Sequence, residues 1–132
     1  MCIRDSACGL CGSDMHAYHG LDPRRVPPLI LGHEVTGVIQ SGDRQGERVI
    51  VNPLLSCGHC DDCVGGRAHL CASRELIGMR LAGAFAEYVV VPESSLLPVP
   101  MEMDIAHASL TCLLYTSPSP RDATLSRMPS SA

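Results

Sequence analysis

Four cysteines, Cys57, Cys60, Cys63 and Cys71, follow the pattern C-x2-C-x2-C-x7-C, and Gly58, Gly65 and Gly66 lie between or beside them. Two short steps bring three sulfurs together on one folded loop. The seven-residue excursion returns a fourth, and the glycines permit the tight backbone such wrapping needs. Four thiolates close a tetrahedral zinc shell and leave no open position, so such a site braces a fold and does no chemistry. Residues 57–71 are therefore expected to form a structural zinc lobe. Close cysteine runs also suit an iron–sulfur cluster. Against that, the last spacing is seven rather than three, and Ala72, not proline, follows Cys71. With four sulfurs present, His59 and His69 are expected to face solvent, as are Asp61 and Asp62.

A second set, Cys11 with His33 and Glu34, lies upstream. Catalytic zinc sites use mixed ligands and keep a position for substrate. A dispersed Cys/His set beside a compact tetrathiolate points to a zinc enzyme. A zinc-stapled binding module without catalysis is the alternative, and an iron–sulfur electron-transfer protein is a further one. Cys8 forms a decoy Cys-x2-Cys with Cys11 and is read as a small buried hydrophobe. His19 and His107 carry no assigned role.

Composition narrows the classes. The 132 residues hold eight cysteines and six histidines, and the formal charge is −4. Without a basic block there is no nucleic-acid footprint, and no apolar run is long enough to span a bilayer. Met1-Cys2-Ile3-Arg4-Asp5-Ser6 lacks the apolar stretch of an export signal. That weighs against a secreted disulfide scaffold and for reduced thiols in the cytoplasm.

Both ends read as foreign to the fold. Cys112–Asp122 back-translates into the transposase end and adaptor of a common sequencing-library chemistry, and Ser126–Ala132 continues that adaptor after an index-length gap. Residues 1–6 back-translate into the reverse complement of the same element. Residues 1–6 and 112–132 are thus expected to be adaptor-derived, the latter disordered, with 7–111 the genuine protein, cut at both ends.

Within that window strands dominate. A Gly12-Ser13-Asp14 turn precedes a Gly/Pro/Arg-rich loop at 20–28. Strands are expected within 29–40 and 47–51, then at 76–79 and 84–91, with an extended stretch at 96–100. Asp104 is the expected N-cap of a helix starting near Ile105.

The order Cys11-Gly12-Ser13-Asp14-Met15-His16, Gly32-His33-Glu34, the four-cysteine lobe and Gly83-Ala84-Phe85-Ala86-Glu87-Tyr88 resembles the zinc-dependent medium-chain alcohol dehydrogenases, over residues 7–100. Asn52-Pro53-Leu54 and Gly65-Gly66-Arg67 favour their polyol and threonine dehydrogenase-like branch. The resemblance implies a mainly β (α+β) fold, a GroES-like partly open β-barrel with an inserted zinc loop. It implies Cys11 and His33 as two ligands of a catalytic zinc, with Glu34 behind the metal and able to approach it. Asp14 would orient the His33 ring, Ser13 would bond the substrate oxygen, and His16 would be the outer member of a proton relay. Zinc would acidify the alcohol, and hydride would pass to NAD or NADP. It further implies two zincs per full-length subunit, a small alcohol or polyol substrate, and a homodimer or homotetramer. The family's Rossmann cofactor domain, its G-x-G-x-x-G turn, the strands before Ala7 and the third catalytic ligand have no counterpart here. That ligand is often a Glu-Pro pair, expected soon after Thr111. The chain by itself is therefore expected to be inactive.

Overall fold

The computed structural model describes residues 1–116, with side chains through Thr111. A five-stranded antiparallel sheet runs in the order β6-β1-β2-β3-β7, from β1 (Cys2–Gly9), β2 (Glu34–Ile39), β3 (Arg48–Val51), β6 (Tyr88–Val90) and β7 (Leu96–Pro98). A two-stranded ribbon joins β4 (Leu54–Leu55) to β5 (Glu75–Leu76). The helices are α1 (Gly12–Tyr18), α2 (Asp61–Val64) and α3 (Ile105–Thr116). The fold is mainly β, as expected, and the large sheet is open, with β6 and β7 at its edges.

The core follows from alternation. Ile3, Val35, Val49 and Val51 are fully buried, and Ile39, Ile77 and Leu96 pack in the same cluster. Burying each such side chain contributes about 1.5–3 kcal/mol relative to leaving it in water. α3 lies against β1 and β2, and Thr36 Oγ1 donates to the Ile105 carbonyl at 2.8 Å, tying the helix start to the middle of the sheet. Asp104 caps that helix as expected. Its Oδ1 accepts from the backbone N–H groups of Ala106 and His107, both at 3.0 Å.

Several elements differ from expectation. Gly12-Ser13-Asp14 is not a free turn but the first turn of α1, because the Asp14 carboxylate accepts the Cys11 N–H at 3.2 Å and so caps a helix. The strand expected at 76–79 shrinks to Glu75–Leu76, after which Gly78 turns the chain at φ +71°. Of 84–91 only Tyr88–Val90 enters the sheet. Residues 83–85 instead donate backbone hydrogen bonds to the carbonyls of Ile30, Leu31 and Gly32.

β1 takes in Cys2–Ser6, within the stretch that reads as adaptor-derived, and pairs it with β2 and β6. Strand pairing uses backbone groups that every sequence carries, so it bears on conformation and not on origin. Of 112–132, α3 includes the backbone to Thr116, and the expectation of disorder for the remainder lies outside the described residues.

Candidate metal centres

Sulfur positions in the lobe meet the demands of a tetrahedral ion. The four Sγ atoms of Cys57, Cys60, Cys63 and Cys71 all lie within 4.8 Å of one another. Cys57 and Cys63 are 3.9 Å apart, and Cys60 and Cys63 are 3.4 Å apart. Zinc–sulfur bonds of 2.3 Å in a tetrahedron place sulfurs about 3.8 Å apart, whereas a disulfide needs about 2.05 Å. The donor set fits zinc, and all seven cysteines with described side chains are free thiols.

Local backbone builds this cage. Gly58 and Gly66 hold φ of +78° and +75°, conformations that other residues rarely adopt, and α2 carries Cys63 between them. The N–H groups of His59 and then Cys60 point at the Cys57 sulfur and hold its pKa down to about 6. The Cys63 N–H acts likewise on Cys60. There the side-chain bond to Cys63, burial, and the Cys57 and Cys71 thiols outweigh it and push the group up to about 11. The backbone N–H groups thus favour the thiolate form of Cys57, the form able to bind a metal. His59, His69 and Asp61 are exposed and Asp62 is half-buried, bonded to Arg67 at 3.0 Å.

The dispersed set converges through strand register. β1 pairs with β2 so that Gly9 faces Glu34, bringing Cys11, two residues past Gly9, beside His33 and Glu34. The ligand atoms of Cys11, His33 and Glu34 lie within 4.8 Å of one another, with His33 and Glu34 buried. A Cβ at position 9 would meet the Glu34 carboxylate and force it to shift. Gly32, at φ +93°, presses against Phe85. A Cβ would sit 2.8 Å from the Phe85 nitrogen. The 83–85 stretch thereby fixes the backbone from which His33 projects.

Asp14 stands behind this set, 2% exposed. Its Oδ1 lies 3.4 Å from His33 Nδ1 and 3.5 Å from the Gly32 nitrogen, while Oδ2 accepts from the Cys11 nitrogen. One carboxylate therefore touches both ligand-bearing segments. Ser13 is half-buried, and His16 follows three residues later on α1, exposed. A spacing of three puts them on one helix face. His19 and His107 are both exposed. Cys8 packs partly buried against the core, and its burial pushes the thiol up to about 11, as suits a small hydrophobe.

Arg25 was not legible as a site residue. It sits in the 20–28 loop yet is 5% exposed, with Nη1 3.5 Å from Asp14 Oδ1 and Nη2 3.2 Å from Ser13 Oγ. No periodicity marks it. The one available hint was that a buried Asp14 needs a nearby cation.

A mainly β fold that carries a mixed Cys/His/Glu cluster and a separate four-cysteine cluster is a domain with two candidate metal sites. The family model of the alcohol dehydrogenase GroES-like domain matches residues 1–101, and the chain belongs to that family. The L-threonine 3-dehydrogenase of Marinomonas sp. (strain MWYL1) is 40% identical over 107 residues, which cover 74% of this chain and 31% of that protein. A zinc-binding dehydrogenase from Sinorhizobium meliloti 1021, bound to NADP, superposes with a TM-score of 0.73 at 36% identity, covering 83% of this chain and 34% of that one. The alcohol dehydrogenase RspB from E. coli CFT073, complexed with NADH, gives a TM-score of 0.76 at 36% identity, with coverages of 83% and 33%. The chain spans about a third of the length of these relatives.

Proposed function

We propose that this chain is the metal-site portion of a zinc-dependent oxidoreductase that moves hydride from a secondary alcohol or polyol to NAD or NADP. The observation that carries the reading is the convergence of Cys11, His33 and Glu34 around one point, with Asp14 behind the His33 ring. In this reading Cys11 and His33 would hold a catalytic zinc, with Glu34 behind it and able to approach it, and Cys57, Cys60, Cys63 and Cys71 would hold a structural one. When bound, the catalytic ion acts as a Lewis acid that lowers the pKa of an alcohol oxygen toward neutrality.

The chain's own groups handle orientation and the proton. Asp14 Oδ1, 3.4 Å from His33 Nδ1, would orient the imidazole and leave its other nitrogen for the metal. Ser13 accepts the substrate's hydroxyl proton and passes one outward on the same face of α1. His16 receives it at the solvent boundary, where an imidazole of ordinary pKa near 6.5 exchanges protons with water. Hydride acceptance belongs to the nicotinamide, and relatives bound to NADP and to NADH are both known. No residue of this chain is assigned to that cofactor.

Small-molecule substrates, a homodimeric or homotetrameric full-length protein and a cytoplasmic setting complete the proposal. Free thiols support the last. No helix among the described residues is long and apolar enough to cross a membrane.

Metal analysis of a full-length protein that carries this chain tests the reading. Two zinc ions per chain are expected. One ion would favour the zinc-stapled binding module, and a coloured preparation containing iron and sulfide would favour the electron-transfer protein. Hydride transfer is then assayed on a reading frame that continues the protein past residue 111.

A further inference from the structure

A guanidinium withdrawn from water is costly, and replacing a buried ion pair with apolar groups is often neutral or stabilising. Arg25 is nonetheless buried, its side chain 1% exposed, on a loop whose neighbours Arg24 and Val26 face solvent. Its contacts converge on two residues of the site. Nη1 donates to the Ser13 carbonyl at 2.5 Å and lies 3.5 Å from Asp14 Oδ1, and Nη2 donates to Ser13 Oγ at 3.2 Å. Nε lies 3.8 Å from Asp22 Oδ2, an ion pair without a hydrogen bond.

We propose that Arg25 is a positioning residue for the dispersed metal centre, acting through Asp14 and Ser13; this rests on the function proposed above. Asp14 Oδ1 lies opposite both Arg25 and His33, and Oδ2 takes the Cys11 N–H. A cation against that same Oδ1 keeps the carboxylate seated between the two ligand-bearing segments. The planar fork spans Asp14 and Ser13 at once, which the point charge of a lysine does not. It also directs the serine hydroxyl. With one Oγ lone pair occupied by the Nη2 N–H, a second stays open to accept, and the serine's own O–H must donate in another direction.

The chain's two metal sites give an internal control. Co2+ is titrated against a competing chelator, and the mixed Cys/His site is distinguished from the tetrathiolate by its visible spectrum. In the Arg25→Met variant, Co2+ affinity at the mixed site is expected to fall about tenfold, the low end of what outer partners of metal ligands contribute. The tetrathiolate affinity should hold. Arg25→Lys, which keeps the charge without the fork, should lose less than Arg25→Met. Unchanged affinity at the mixed site in Arg25→Met would overturn the proposal. So would equal loss at both sites, which marks a general prop of the fold. If the unmutated chain binds Co2+ only at the tetrathiolate, the functional reading itself fails and takes this inference with it.

Discussion

Asp14 Oδ1 sits 3.4 Å from His33 Nδ1, with both side chains almost wholly shielded from solvent. The pairing joins the first turn of α1 to the residue that precedes β2. Removing the acceptor's charge while keeping its shape isolates the effect, so Asp14→Asn is the informative change. Zinc affinity at the Cys11/His33/Glu34 site is expected to drop about 10–100-fold, with the second zinc retained. Competitive titration against a chelator checks this. Equal affinity in the variant would remove Asp14 from the site.

The tetrathiolate lobe has almost no core of its own. Within 57–71 only Cys71 is buried, and Val64 and Leu70 are 77% and 51% exposed. Metal–ligand free energy is therefore its main source of order. Chelation, or Cys60→Ser, is expected to raise amide exchange across 57–71 by at least tenfold while Val35 and Val49 in the sheet stay protected. Hydrogen-exchange mass spectrometry reads both regions at once, and an unchanged lobe would mean that the loop holds itself.

Thiol reactivity in the metal-free chain should be ordered by the same backbone geometry. With N–H groups of His59 and Cys60 aimed at it, Cys57 is held to about 6, whereas Cys60 is pushed up to about 11. The thiolate is the nucleophile. Alkylation of Cys57 is therefore expected to reach half its plateau rate near pH 6, with Cys60 still slow at pH 8. Peptide mapping after brief iodoacetamide exposure resolves the two, and equal rates would refute the assignment.

The convergence of the two cysteine-based clusters was legible because side chains able to share a metal obey spacing. Sulfurs three residues apart must lie close, and Cys11 needed only the Gly9–Glu34 register to reach His33. The helix cap at Asp104 was legible for the same local reason. Arg25 was not, since its burial arises from a loop folding over α1, a tertiary event with no periodic trace. The Gly12-Ser13-Asp14 segment reads as a turn by composition. The Asp14 carboxylate that caps the Cys11 N–H tips it into helix. Residues 84 and 85 read as strand, but their partner is the irregular 30–32 segment, and sequence pattern carries no information about partners.

Gly32 carries the backbone that presents His33, and its φ of +93° disfavours any side chain. Gly32→Ala adds a collision with the Phe85 backbone nitrogen, which cannot swing aside as a flexible side chain would. The left-handed penalty alone is about 1–2 kcal/mol, and the clash adds to it. A melting point lower by roughly 10 °C is expected, together with loss of zinc at the dispersed site. Unaltered melting would show that the 83–85 contact yields easily.

Asp5 is the one carboxylate of the described residues whose two oxygens are both buried without a hydrogen-bond partner. It occupies the same face of β1 as Ile3, where alternation calls for an apolar side chain. Burial raises its pKa from 3.8 to about 7. Between those values the folded chain keeps a proton that the unfolded chain has released. Stability therefore falls as pH rises from about 4 to about 7, and levels off above. Asp5→Val abolishes that dependence and fills the position. Its melting point should exceed that of the parent by roughly 5 °C or more at pH 8, and the gap should narrow steadily toward pH 4. Thermal melts of both proteins across this range decide the matter. A gap that stays constant with pH would mean that the carboxylate reaches water in solution, and that its charge costs the fold nothing.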